Sequence, residues 1–249
     1  GRKQAALIID TVTYGENKDV ATGGAATVKT KTDSIFGGQS LTGYFNITAK
    51  DISGLTFSTG GPGTLYYTGS EITLTPYDED SAPNGYKVRD GETLLTKDKD
   101  FTISYSNNVN AGQAIITATG KGNYEGTLQA SFTINPLNIT TPPTNVSSVE
   151  VTVSDAGYTG EAVKPEVTVK VIFADSTEME LTENTDFVLS CTNNINIGTA
   201  TAKITGIQNF TGELEKNFKV VTRSLLATSM SYTFANTKTY SGTGGTASV

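Results

Sequence analysis

Along this chain, hydrophobic residues fall at every second position over short stretches, and Asn- and Gly-rich segments separate those stretches. "DFTISY" places Phe101, Ile103 and Tyr105 on one face of an extended segment, and "DFVLSC" does the same with Phe187, Leu189 and Cys191. "NNVNAG" and "NNINIG" follow them. Asn tolerates left-handed backbone and Gly permits positive φ, so both segments read as turns. "GKGNYEG" and "GIQNFTG" turn the chain again, each with an aromatic ring placed to pin the corner to a core. Helical spacing is absent except over a short stretch near residues 223–230. The pattern predicts an all-β protein of short strands and frequent turns.

The two turn-rich segments, 106–127 and 192–213, superpose at a shift of 86 residues without a gap. Asp100 falls on Asp186, Asn108 on Asn194, Gly112 on Gly198 and Gly120 on Gly206. Asn123 falls on Asn209, Tyr124 on Phe210, Gly126 on Gly212 and Phe132 on Phe218. Each unit opens on "YTG", at Tyr67 and again at Tyr158. Those openings lie 91 residues apart, so the first unit carries about five extra residues, placed in "YDEDSAPNGYK". Each unit therefore reads as an antiparallel β-sandwich of roughly immunoglobulin size. Its core is expected at Tyr67, Phe101, Tyr124 and Phe132 in the first copy, and at Tyr158, Phe187, Phe210 and Phe218 in the second. A sugar-stacking platform is the other role open to Tyr124, but Phe210 at the same position favours packing. Cys191 stands where the first copy has Tyr105 and is expected to be a buried thiol.

The flanks follow the same pattern in part. Tyr14 matches Tyr105, Gly23 matches Gly112, Phe36 matches Tyr124 and Phe45 matches Phe132, so the start reads as the back half of a unit. Tyr240-Ser241-Gly242 opens a further unit near the end. The expected organisation is 1–50 as a back half, 51–136 and 137–222 as complete sandwiches, and 223–249 as front strands. "NPLNITTPPTN", with Pro136, Pro142 and Pro143, reads as a stiffened linker between the two complete units.

Composition removes several function classes. The chain has 249 residues and a formal charge of −7 without a basic cluster, which argues against a nucleic-acid partner. It has no histidine, so Ser-His-Asp and Cys-His catalysis and His-ligated metal sites are closed to it. Its single cysteine excludes an internal disulfide. No apolar run reaches the length of a membrane span. No secretory signal is visible, so the chain reads as a mature or trimmed form. "DED" at 78–80 and "DKD" at 98–100 offer carboxylate oxygens without the spacing of a calcium loop, and Asp100 and Asp186 read instead as turn caps. Asn46, Asn138, Asn145 and Asn209 sit in N-x-S/T triplets, a number that so much Thr produces by chance. No cofactor, metal site or catalytic group is expected, and the chain is not read as an enzyme.

The whole-unit pattern is an opening Y-T-G, then D-F-x-x-x-[YC]-x-N-N-x-N-x-G, G-x-x-N-[YF]-x-G and F-x-[IV]. It resembles the tandem immunoglobulin-like repeats of large bacterial cell-surface proteins. The resemblance implies an extracellular stalk or adhesive fibre, and by analogy makes a Lys–Asn isopeptide bond conceivable, though no specific trio of residues stands out for one. The leading expectation is a structural subunit or repeat segment of a fibre, stalk or surface layer that associates with itself or with further repeats. The alternative is an adhesin or glycan-binding module facing a host or glycan ligand. The broken ends suggest head-to-tail strand complementation. Residues 229–249, with Tyr232, Phe234, Tyr240 and Val249, would donate a strand to an acceptor within 5–47 built on Ile9, Val12 and Phe45.

Overall fold

A computed structural model describes residues 8–15, 17–20, 24–60, 63–77 and 85–222. All secondary-structure elements within them are β-strands. The stretch with helical spacing near 223–230 and the extra turn at 78–84 lie outside the described residues, as does Gly23.

The first three strands, β1 (Ile9–Gly15), β2 (Gly24–Thr30) and β3 (Ser40–Phe45), form an antiparallel sheet in that order. Its register sets Val12 opposite Val28, Val28 opposite Leu41, Tyr14 opposite Ala26 and Gly24 opposite Phe45. Because side chains alternate across a strand, one face collects Val12, Tyr14, Val28, Leu41 and Phe45. The other carries Thr13, Thr27 and Thr42, and Thr27 and Thr42 share a hydroxyl hydrogen bond of 2.8 Å.

Ten strands follow over residues 50–135. They are β4 (Lys50–Asp51), β5 (Thr56–Gly60), β6 (Leu65–Tyr66), β7 (Thr75–Pro76), β8 (Gly85–Asp90), β9 (Thr93–Leu94), β10 (Phe101–Ser106), β11 (Gly112–Gly120), β12 (Tyr124–Glu125) and β13 (Thr127–Asn135). One sheet runs β5-β8-β7 with β9 on β8; the other runs β10-β11-β13-β6. Phe57, Tyr86 and Val88 from the first meet Phe101, Ile116 and Ala118 from the second, so the core lies between the sheets in a sandwich-like arrangement. Tyr86 bridges them, edge-on to Phe57 at 6.0 Å and to Phe101 at 6.4 Å.

Nine strands complete the fold: β14 (Leu137–Asn138), β15 (Val146–Val153), β16 (Ala156–Gly157), β17 (Val167–Phe173), β18 (Glu178–Glu180), β19 (Phe187–Thr192), β20 (Gly198–Gly206), β21 (Phe210–Thr211) and β22 (Glu213–Val221). Their sheets are β15-β17-β18 and β16-β22-β20-β19. Pairings in this region fall where those of 50–135 predict at a shift of 86. Phe101 faces Gly120 and Phe187 faces Gly206, while Ala114 faces Phe132 and Ala200 faces Phe218. Positive φ recurs at the same shift: Asp98 and Asn184 at 67° and 64°, Asn107 and Asn193 at 56° and 58°. Gly126 and Gly212 have φ of 81° and 92°, and a Cβ at either would collide with the Oδ1 of Asp51 or Asn138. Only glycine meets both demands at that corner.

Two expectations are corrected here. The Pro-rich stretch after Asn135 is not a linker. Leu137 and Ile139 are buried, β14 pairs in parallel with β21, and Pro136 alone separates β13 from β14. Alternating Leu and Ile gave the segment a core face to bury, which outweighs its prolines. Cys191 is half-buried rather than buried, because β19 is an edge strand of its sheet. Burial still pushes its thiol pKa up.

Candidate interface sites

Between the first sheet and the region 50–135, a side-chain amide ties the chain together. The backbone N–H of Val20 donates to Asn123 Oδ1 at 2.6 Å, and Asn123 Nδ2 donates to Asp19 Oδ1 at 2.6 Å. The next junction repeats the arrangement. The backbone N–H of Ala111 donates to Asn209 Oδ1 at 2.8 Å, and Asn209 Nδ2 donates to Asn110 Oδ1 at 3.1 Å. Asn123 and Asn209 are 86 residues apart, while Asp19 and Asn110, and likewise Val20 and Ala111, are 91 apart. A side-chain amide suits this position because it can accept and donate at once. Both residues are held by their backbones as well, the Asn123 backbone carbonyl accepting from Lys50 N–H and the Asn209 backbone carbonyl from Leu137 N–H, each at 2.9 Å.

The second junction adds an apolar cover. The Tyr67 ring stands edge-on to Phe210 at 5.4 Å and 83°, packed against the core of the region that follows it in the chain. Burial raises the Tyr67 pKa, helped by the nearby Asp186 charge, while the Asn209 amide opposes the shift. Gly69 lies against Met179, where a Cβ would be in collision with Met179 Cε. At the first junction Tyr124 takes the place of Phe210 and is only half-buried, with its hydroxyl 3.4 Å from Asp90 Oδ2. Lys50 pairs there with Asp90 at 2.6 Å, where the second junction buries Leu137.

Of the aromatic positions expected in the cores, Phe101, Phe187, Phe210 and Phe218 are buried and Phe132 is half-buried. Tyr67 is half-buried at a junction, not inside its own sandwich. Tyr158 departs from the expectation altogether: it is 39% exposed, because no ring covers it among the described residues. Phe36 is also displaced. The turn bond that Tyr124 N–H makes to the Lys121 carbonyl is made by Ser34 N–H to the Lys31 carbonyl, since this corner is three residues longer. Phe36 is therefore left 49% exposed.

The expected acceptor sheet is distinct in another way. Val12, Tyr14, Leu41 and Phe45 are 44%, 70%, 77% and 43% exposed, so its apolar face is uncovered among the described residues. Ile9 is half-buried at its edge. The expected donors Tyr232, Phe234, Tyr240 and Val249 lie outside the described residues.

Asp100 and Asp186 accept from the backbone N–H groups of Thr96 and Thr182, each at 2.8 Å, so both carboxylates are engaged in turns. The described residues hold no group of three acidic or cysteine side chains able to bind a metal, and no helix long and apolar enough to cross a membrane. Matched spacing had marked Asn123 and Asn209 without showing their role; the recurrence of an Asp or Asn 91 residues apart, at Asp19 and Asn110, was the available signal. No protein-family model matches the chain, and no curated protein is significantly similar to it.

Proposed function

We propose that this chain is a structural segment of an extracellular fibre, stalk or surface layer, built from immunoglobulin-like β-sandwich modules repeated in tandem. One observation carries the reading: the same Asn clasp joins successive sheet systems at two consecutive junctions. A module that repeats its contact as well as its fold sets a constant angle between neighbours, and length and stiffness follow from that. The single residue Pro136 between β13 and β14 supports the same reading, since it leaves little slack for a hinge. The face of β1-β2-β3, uncovered among the described residues, supports strand complementation, in which residues 229–249 of one chain complete the sheet bearing Ile9, Val12 and Phe45 of another.

Small-angle scattering tests the spacer reading. The chain should scatter as one stiff rod, and Asn209→Ala should broaden its distribution of lengths. A profile that demands a free hinge at Pro136 in the unaltered chain sinks the proposal.

A further inference from the structure

The rim of the region 137–222 that carries Tyr158 repeats the backbone bonds and the Asn anchor of the rim that Tyr67 presents at the second junction. Tyr67 N–H donates to the Asn135 carbonyl and Tyr158 N–H to the Val221 carbonyl, at 2.9 and 2.8 Å. Strand β6 lies parallel to β13 as β16 lies parallel to β22. The loop bearing Asn110 and Ala111 is anchored by Asn108 Nδ2 on the Ile72 carbonyl; the loop bearing Asn196 and Ile197 is anchored by Asn194 Nδ2 on the Val163 carbonyl. Gly69 and Gly160 share a positive φ of 79° and 85°.

What differs is the cover. Gly69 meets Met179, whereas no described atom lies within 4 Å of a Cβ at Gly160. Val109 and Ala111 are half-buried, whereas their counterparts Ile195 and Ile197 are 50% and 55% exposed. The rim has thus become larger and more apolar where no described residue covers it, the reverse of what water alone would favour.

The opposite end of the described chain has changed in the same direction. The corner that elsewhere presents Asn123-Tyr124 or Asn209-Phe210 here presents Ile35 and Phe36, 89% and 49% exposed. It begins with the same backbone turn, and Thr30 N–H closes it on the Gln39 carbonyl as Gly120 N–H closes on Gly126. With no Asn at the tip, the polar clasp cannot form there, and an apolar contact is the chemistry that remains.

We propose that the Tyr158–Ile195–Ile197 rim docks the Ile35–Phe36 corner of a second copy of this chain. Phe36 stacks on Tyr158 as Phe210 stacks on Tyr67, and the two Ile side chains of the rim close around Ile35. The contact is heterologous, so it propagates one copy onto the next instead of closing a dimer. This inference rests on the stacked-module reading. It adds to strand complementation a contact at the Ile35–Phe36 corner, apart from Ile9, Val12 and Phe45 on the acceptor sheet.

Sedimentation velocity of the full chain over a concentration series tests it, with Ile197→Asp and Phe36→Asp as single-face variants. Both sites are exposed, so circular dichroism melts of the variants should match the unaltered chain. Where a melt does not match, Ile197→Asn or Ile35→Asn replaces that variant. The unaltered chain should form a ladder of species, and each variant alone should associate at least about tenfold more weakly. An equimolar mixture of the two should form dimers only, since one intact rim and one intact corner remain. A chain that stays monomeric throughout overturns the proposal, and so does a Tyr158 ring shielded from a soluble paramagnetic probe in the monomer, which would mean that residues 223–249 cover the rim. If both variants associate undiminished while deletion of 229–249 abolishes association, the stacked face is wrong and strand complementation alone survives. If the scattering rod fails while the mixture behaves as expected, the spacer reading falls and this contact stands.

Discussion

The two junctions along the chain use one clasp and differ in what covers it. At the second, Tyr67 leans on Phe210, and the positions beneath are Phe210 and Leu137, both buried. At the first, no described ring takes the place of Tyr67, and the equivalent positions are Tyr124 and Lys50, tied to Asp90 by a hydroxyl contact and an ion pair. The difference teaches how a repeated corner adjusts to its neighbour. The hydrogen-bonding amide is kept because geometry alone requires it. The side chains around it follow burial, apolar under a ring and polar where water reaches.

The largest test of this comparison is truncation at the paired corner. Phe210→Ala should destabilise the region 137–222 by about 3–5 kcal/mol, as for other fully buried aromatic rings. Tyr124→Ala should cost the region 51–136 much less, about 1–2 kcal/mol, because its ring is half in water already. Chemical denaturation of each variant, read by exchange protection in each region, gives both numbers. Equal losses at the two corners would mean that the cover of Tyr67 contributes nothing.

Next in size is the ring itself. Tyr67→Ala should lower stability by about 1–2 kcal/mol, of which about 0.5–1.5 kcal/mol is the edge-to-face term with Phe210. Tyr158→Ala should change the monomer by less than about 0.5 kcal/mol, as surface substitutions do. A double-mutant cycle of Tyr67→Ala with Phe210→Ala should show coupling, whereas Tyr158→Ala with Phe210→Ala should be additive. Additivity in the first cycle would remove the physical basis for calling the second junction covered.

Much of this was legible in the chain. The alternation at Phe101–Ser106 and Phe187–Thr192 specified strands and their inward faces, and Asn and Gly marked turns whose positive φ recurs at the shift of 86. Alternation states which face of a strand is apolar. It cannot state what will lie against that face. Tyr67 and Tyr158 therefore looked alike in sequence, although one is covered by the following region and the other is exposed. Burial at Leu137 was lost behind the prolines for a related reason: a two-residue strand is too short to display a period. Phe36 was misplaced because three additional residues in a corner leave no trace in spacing when the aromatic residue itself shifts by two.

Smaller still is the clasp. Asn209→Ala should reduce the coupling between the regions by about 1 kcal/mol, the net worth of an ordinary hydrogen bond pair in partial contact with water. Asn123→Ala should do the same at the first junction, where no described ring covers the clasp. Thermal unfolding followed region by region should then show the two melts separating further in each variant. If Asn209→Asp preserves the coupling as well as Asn does, the amide's donor is unnecessary and the clasp has been misread.

The smallest effect lies at a position where the two regions differ by one atom type. Asp51 and Asn138 hold the same turn before their clasped corners. Ser53 N–H donates to Asp51 Oδ1 and Thr140 N–H to Asn138 Oδ1, each at 2.8 Å. Only Asp51 titrates. The backbone and hydroxyl hydrogen bonds from Ser53 hold its pKa below the ordinary 3.8. A folded pKa below the unfolded one stabilises the fold above the unfolded value, and that stabilisation is lost as pH falls through the folded value. The region 51–136 should therefore lose a small increment of stability below about pH 4 that this turn in 137–222 does not lose. Asp51→Asn should remove the increment and leave neutral-pH stability nearly unchanged, because the amide oxygen still accepts from Ser53 N–H. Acid titration of both forms, followed by the chemical shift of the Asp51 carboxyl and by the melt of the region, measures it. A carboxyl that titrates at or above 3.8 in the folded chain would show that the Ser53 bonds do not favour its charged form, and the two turns would then differ in name only.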